Sequence, residues 1–248
     1  MAIDIKKILM HKKTGRKFYV RDTSVDFHSQ FGFVCSTELE KKAGNIVQSN
    51  TKDEFIILEP NFLDIYSKIK RAPQIIPLKD IGLIITRCGI TKESVVVDAG
   101  AGSGALAISL GAIAKKVYTF EKREDHLAVA KKNIEFMGFS NIVAEQHDIY
   151  ESVPVDDADT MTLDVPEPWL ALDSAEKCLK VGGMLVSYSP CIPQVSDFVE
   201  AVKIRDKFQF IETIELTERQ WEIEGRKVRP KSRSINHSGF LSFVRKIK

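Results

Sequence analysis

The sequence predicts an α/β fold: a mainly parallel sheet with helices on both faces, behind a small, mostly β N-terminal domain. Three observations predict it. The stretch Val95-Val96-Val97-Asp98-Ala99-Gly100-Ala101-Gly102-Ser103-Gly104 is a β-branched run closed by an acid and a glycine-rich turn. Ala105-Leu106-Ala107-Ile108-Ser109-Leu110 then opens a helix. From Ser94 onward, strand-like apolar runs alternate with helical periods. Residues 1–60 differ, because short β-type runs alternate there with polar stretches and no long helical period occurs.

The first domain, 1–60, holds the runs Lys17-Phe18-Tyr19-Val20, Phe31-Gly32-Phe33-Val34-Cys35 and Glu54-Phe55-Ile56-Ile57-Leu58, with a short turn near Glu38 to Lys42. The second domain is expected over residues 61–248. Asn61 is placed to cap a helix whose apolar positions are Phe62, Ile65, Tyr66 and Ile69. Arg71-Ala72-Pro73-Gln74-Ile75-Ile76-Pro77 breaks it. A second helix, Lys79 to Cys88, leads through Gly89 to the central strand. These leading helices, within 61–90, are expected to cover the glycine loop.

After the loop and its helix, Lys116-Val117-Tyr118-Thr119-Phe120-Glu121 reads as the second strand. Arg123 to Met137 is a helix with Leu127, Ala130, Ile134 and Met137 on one face, stopped by Gly138. Asn141 to Glu145 is a third strand, followed by the loop His147-Asp148-Ile149-Tyr150. Asp159 to Asp164 is a fourth. A helix from Trp169 to Leu179 ends at Gly182-Gly183, and Met184 to Tyr188 is a fifth strand. A helix from Gln194 to Asp206 precedes two further strands, Gln209 to Leu216 and Gly239 to Val244, with a basic loop, Gly225 to Ser238, between them. Seven strands with a terminal hairpin match a class I (Rossmann-like) methyltransferase sheet better than a six-stranded dehydrogenase sheet.

Composition narrows the classes. The 248 residues, 44% of them hydrophobic, suit one large domain or one plus a small one. No apolar run is long enough for a transmembrane helix, and the N-terminus lacks the apolar core of a leader, so a cytoplasmic protein without membrane attachment is expected. Cys35, Cys88, Cys178 and Cys191 have no C-x-x-C spacing and read as reduced thiols. No histidine cluster suggests a metal. Net charge is only +2, but its placement is uneven. From Gly225 onward stand Arg226, Lys227, Arg229, Lys231, Arg233, Arg245, Lys246 and Lys248 with no acid. The first 21 residues carry Lys6, Lys7, Lys12, Lys13, Arg16, Lys17 and Arg21 against Asp4 alone. Two basic ends on a near-neutral chain suggest a surface for nucleic acid.

The chemistry is expected at the carboxyl ends of the strands. Gly100, Gly102 and Ala105 satisfy the dinucleotide pattern G-x-G-x-x-G/A; Gly100, Gly102 and Gly104 equally satisfy the G-x-G-x-G of S-adenosylmethionine methyltransferases. The loop alone marks a nucleoside ligand and does not choose between them. Four acids fall at strand ends: Asp98, Glu121, Asp148 and Asp164. S-adenosylmethionine offers matching donors: ribose hydroxyls for Glu121, the adenine amino group for Asp148, and the cationic methionine end near Asp98. Asp164-Val165-Pro166-Glu167-Pro168-Trp169 is a loose form of the Asp/Asn-Pro-Pro-aromatic stretch of amino-nucleobase methyltransferases. There the carboxylate accepts hydrogen bonds from the base, while prolines and an aromatic wall shape the pocket. Such a site needs no nucleophile, since positioning and electrostatics suffice. A carboxylate on the exocyclic amino group of adenine would offset the charge gained on N1 methylation, and Asp164 is the candidate. A target base must leave its stack to reach it.

Ordered along the chain, further motifs agree: Asp22-x-x-x-x-Asp26-Phe27-His28, Phe55-x-x-Leu58-x-Pro60, Lys70-Arg71-x-Pro73-Gln74-Ile75-Ile76 with Lys79-Asp80, and Asp98-Ala99-Gly100-x-Gly102-Ser103-Gly104-Ala105-Leu106. Glu121-x-Arg123-Glu124-Asp125, Asp148-Ile149-Tyr150-Glu151, Leu163-Asp164-x-Pro166-x-Pro168, Tyr188-x-Pro190-Cys191-x-x-Gln194-Val195, Arg229-Pro230 and His237-x-Gly239-Phe240 follow. With these the sequence resembles the tRNA (adenine-N1)-methyltransferases of TrmI type, especially the archaeal branch. The resemblance implies methylation of N1 of an adenine in the tRNA T-loop (position 58, with 57 left open), S-adenosylmethionine as donor, and a homotetramer. Carried over, Gln74, Ile75, Ser103, Gly104, Ala105, Leu106 and Lys122 lie near the donor, Glu121 holds the ribose, Asp148 the adenine, and Asp164 is the catalytic acid. The family usually has Tyr or His before Pro-Lys-Asp; here Pro77-Leu78-Lys79-Asp80 provides no aromatic at 77. Competing readings are another class I methyltransferase acting on isoaspartyl protein or a small molecule, and a non-catalytic tRNA-binding subunit. The first has no need of the basic tail, and the second should have lost the loop or the strand-end acids.

Overall fold

The strands that dominate the chain form two separate sheets. A computed structural model describes residues 5–71, 75–232 and 237–248. It divides into two units, Met1–Ile69 with Glu135–Gly138, and Lys70–Ile134 with Phe139–Lys248.

In the first unit, β1 (Lys7–His11), β2 (Lys17–Val20), β5 (Ile46–Gln48) and β6 (Glu54–Leu58) form an antiparallel sheet in the order β2-β1-β6-β5. β3 (Phe27–Ser29) and β4 (Gly32–Val34) make a separate hairpin, and α1 (Ser36–Leu39) follows it. Leu9, Val20, Val34, Leu39, Val47, Phe55 and Ile57 form the core. β1 and β5 are not evident in the sequence: β1 begins in a lysine-rich stretch and β5 is three residues long. α2 (Phe62–Tyr66) is closed by a capping box between Asn61 and Asp64 and groups with this unit, so the division falls later than Pro60.

The second unit opens with α3 (Leu78–Arg87) and β7 (Val95–Ala99). α4 (Ala105–Gly111), β8 (Lys116–Glu121), α5 (Glu124–Met137), β9 (Ile142–Gln146) and β10 (Ala158–Leu163) follow. A 3-10 turn (Pro168–Ala171) leads into α6 (Leu172–Cys178), β11 (Leu179–Ser189), α7 (Ile192–Lys203) and β12 (Phe208–Glu215). A hairpin, β13 (Trp221–Glu224) and β14 (Lys227–Pro230), precedes β15 (Phe240–Lys246). The sheet runs β12-β15-β11-β10-β7-β8-β9. From β11 through β10, β7 and β8 to β9 the neighbours pair in parallel, and β15 is antiparallel to both β11 and β12. This is the seven-stranded class I methyltransferase arrangement. Val96 and Val97 of β7 are fully buried, with β10 and β8 flanking the strand on either side.

Two expectations are corrected. Gly182-Gly183 does not end a helix before β11; it lies inside that strand as a bulge, with pairing slipping from Ala158↔Leu179 to Thr160↔Met184. Gly182 has φ +87°, and a Cβ on Gly183 would stand 2.9 Å from the Lys180 carbonyl oxygen. The basic loop from Gly225 is in part the β13–β14 hairpin, turned at Gly225 (φ +57°); Arg233 lies outside the described residues.

Candidate active site

The ends of β8, β9 and β10 bring three of the four predicted acids, Glu121, Asp148 and Asp164, to a cleft beside the glycine loop. A cavity of about 480 Å³ opens there, in the size range of small-ligand sites, lined by Gly100, Gly102, Glu121, Lys122, Asp148 and Asp164 among others. On the other side of the same loop, Ile75, Gly100, Gly102, Ser103, Ala105, Leu106 and Asp164 line a smaller hollow. The structure thus gathers most of the predicted residues. Gln74 lies outside the described residues.

The loop is held by its neighbours. The N–H groups of Gly100 and Ala101 both donate to the Phe120 carbonyl, at 3.1 and 3.0 Å. Gly100 has φ +87°, and a Cβ there would come within 2.1 Å of the Asp164 carbonyl oxygen, so only glycine lets the loop pass over β10. Gly104 serves packing: at φ +77°, its missing Cβ leaves room for Ala130 of α5, and it lines neither hollow. Asn133, which sequence reasoning missed, donates from its amide to the carbonyls of Ser103 and Lys70, each at 2.8 Å, and accepts from the Lys70 N–H. An Asn inside a helix carries no local signal of this role.

Each acid has its own setting. Asp98 does not face the cleft as expected. It stands at the β7 position paired with Thr119 on β8 and Thr162 on β10, and accepts from both hydroxyls at 2.7 and 2.9 Å. Burial pushes its carboxyl up to about 6, against the pull of those two hydroxyls. The matching threonines of Tyr118-Thr119-Phe120 and Met161-Thr162-Leu163 are the sequence signal for this ladder.

Glu121 accepts from the Gly102 N–H and the Arg123 N–H, both at 3.0 Å, and fixes the loop's geometry while lining the cleft. Asp148 pairs with Lys122 at 2.6 Å and accepts from the Tyr150 N–H. Lys122 is the first cause holding the Asp148 carboxyl below the usual carboxylate range.

Asp164 follows β10 directly, its N–H donating to the Ala99 carbonyl at 2.8 Å. Asp164 lines both hollows. Burial, then the nearby charges of Asp98 and Glu121, push its carboxyl up to about 7. Trp169 does not line the cleft; it packs half-buried on the sheet core, and Val165, Pro166 and Glu167 line the cleft instead.

The cleft thus combines a glycine floor, strand-end acceptors and a raised carboxyl at Asp164. A family model described as tRNA methyltransferase complex GCD14 subunit matches residues 65–239. The chain belongs to this family. Among relatives of this GCD14-family chain, tRNA (adenine(57)-N(1)/adenine(58)-N(1))-methyltransferase TrmI of Methanocaldococcus jannaschii is 33% identical, covering 96% of this chain and 94% of its own. A SAM-dependent O-methyltransferase from Thermotoga maritima superposes with TM-score 0.88 at 26% identity, covering 100% of this chain and 95% of that one. The tRNA (m1A58) methyltransferase TrmI from Aquifex aeolicus does so with TM-score 0.81 at 24% identity, covering 100% and 99%; that likeness is one of fold. Among the described residues of the GCD14-family chain, no group of His, Cys, Asp and Glu is placed to hold a metal ion.

Proposed function

We propose that the protein is an S-adenosylmethionine-dependent tRNA (adenine-N1)-methyltransferase acting on adenine 58 of the T-loop. One observation carries this reading. Asp164 lines both hollows, and among the described residues its carboxyl meets burial and like charges without a hydrogen-bond partner. The residues fit the donor: the side-chain-free floor at Gly100 and Gly102 admits a nucleoside, and Glu121 and Asp148 offer acceptors to ribose and adenine. When bound, S-adenosylmethionine supplies an electrophilic methyl that needs no further activation. Asp164 accepts from the exocyclic amino group of the target adenine and holds the ring so that the N1 lone pair points at the methyl. As N1 acquires its bond, the carboxylate offsets the positive charge spreading into the ring. Val165, Pro166 and Glu167 line that side of the cleft.

tRNA is the proposed partner, and the assembly is proposed to be a homotetramer. Cross-strand pairing puts Trp221, Ile223, Val228 and Pro230 on one face of the β13–β14 hairpin and Glu222, Glu224, Lys227 and Arg229 on the other. Trp221, Ile223 and Val228 are exposed, which supports self-association through that face and RNA contact through the other. A cytoplasmic location is proposed with it; among the described residues no helix is long and apolar enough to cross a membrane.

The test is incubation with radiolabelled S-adenosylmethionine and unmodified tRNA, followed by mapping of the modified nucleotide. Label at N1 of adenine 58 is expected; label in protein or small molecules alone would refute the assignment, and label at 57 as well would extend it.

A further inference from the structure

The loop after Asp164 is held by two side chains from different elements. Gln194, on α7, donates from its amide to the Pro166 carbonyl at 2.8 Å. Tyr150 accepts at its hydroxyl from the Glu167 N–H at 3.2 Å. Pro166 and Pro168 have no N–H to give, so few backbone groups are left to fix this loop.

The two anchors differ in what lies behind them. α7 is bedded in the core through Val195, Phe198, Val199 and Val202, which makes Gln194 a fixed point. Tyr150 belongs to the loop that carries Asp148: its own N–H donates to Asp148 Oδ1 at 3.1 Å, and Asp148 Oδ2 meets Lys122 at 2.6 Å. A continuous path of polar interactions, Lys122–Asp148–Tyr150–Glu167, therefore runs from the nucleoside end of the cleft to the acceptor loop.

We infer that Tyr150 is a positioning residue that couples occupancy of the nucleoside end to the setting of the acceptor loop, with Gln194 as its immobile counterpart. The inference rests on the proposed donor and acceptor sites. An adenine amino group donating to Asp148 takes over part of that carboxylate's hydrogen bonding and orders residues 148–150. The Tyr150 hydroxyl then delivers that order to Glu167, and the pocket beside Asp164 is formed before the base enters. By linkage, the base must favour the donor as much as the donor favours the base.

The test is tRNA affinity measured with and without saturating S-adenosylhomocysteine, on the full chain. In the wild type the nucleoside is expected to tighten tRNA binding about fivefold or more. Tyr150→Phe removes only the hydroxyl. It should leave the separate affinities for S-adenosylhomocysteine and for tRNA within about twofold, erase the tightening, and lower kcat by about tenfold. Gln194→Ala should lower kcat while preserving the tightening. Wild-type protein without coupling, Tyr150→Phe with coupling intact, or Gln194→Ala with coupling abolished would each overturn the inference. Protein that binds neither nucleoside nor tRNA would instead sink the functional reading beneath it.

Discussion

Gly100 lies directly against the backbone of Asp164, so close that a methyl group on the first would stand 2.1 Å from the carbonyl oxygen of the second. The glycine loop and the residue proposed to face the acceptor are thereby one mechanical unit. Gly100→Ala combines a positive φ with a backbone clash and should cost on the order of 3 kcal/mol or more. Chemical denaturation would show it, and what remains folded should bind S-adenosylmethionine at least tenfold more weakly by calorimetry.

The raised Asp164 carboxyl sets a pH dependence. In the proposed mechanism the carboxylate is the working form, so kcat/KM should be flat above about pH 7 and fall roughly tenfold per unit below it. With the cationic donor bound, the limb in kcat should move to lower pH, because a neighbouring positive charge favours the ionised acid. Asp164→Ala should lower kcat by about 100-fold or more at pH 8 while changing donor affinity far less. A variant that kept most of the rate would remove the electrostatic role.

The same carboxyl makes a prediction about stability with the opposite sign to activity. An acid whose folded value is raised from 3.8 to about 7 penalises the folded state above pH 7 and not below pH 4. Asp164→Asn should therefore stabilise the protein at pH 8, on the order of 1–3 kcal/mol. Thermal melts should show the gain shrinking as pH falls from 7 to 4. An equal gain at pH 4 and pH 8 would mean that the charge is not its source.

The charged face of the hairpin is partly self-neutralised. Glu222 accepts from Lys227 at 2.6 Å and from Arg229 at 3.0 Å, and these interactions hold its carboxyl below the usual range. Replacing Arg226, Lys227 and Arg229 by Ala should weaken tRNA binding and flatten the salt dependence by up to about one unit of slope for each phosphate no longer neutralised. Glu222→Gln frees both cations and should tighten binding about two- to fivefold, with a steeper salt slope. Filter binding across a salt series reads both.

The central sheet is legible in the sequence because its signals are local. Val95 to Gly104 states strand, turn and helix in ten residues, and Glu121, Asp148 and Asp164 close apolar runs that the parallel sheet then lines up. What escapes a linear reading depends on pairing. Asp98 looks like a cleft acid until the register sets Thr119 and Thr162 beside it. The apolar–acidic alternation of Trp221-Glu222-Ile223-Glu224 precedes a more conspicuous stretch of cations, and only its pairing with Lys227–Pro230 reveals a two-faced hairpin. Tyr150 and Gln194 stand in motifs of the sequence, but their part shows only in hydrogen bonds to residues 17 and 28 positions away.

Asn133 fastens Lys70 and Ser103 through a single amide, joining stretches separated by 63 and 30 positions. That wall of the nucleoside hollow exists only while the helix bearing Asn133 stays docked, so local opening of the helix abolishes the ligand's seat before the central strands separate. Conversely, a lodged ligand clamps the helix in place and slows exchange of its amide hydrogens. The pocket is as much a gauge of one helix's attachment as a place for chemistry.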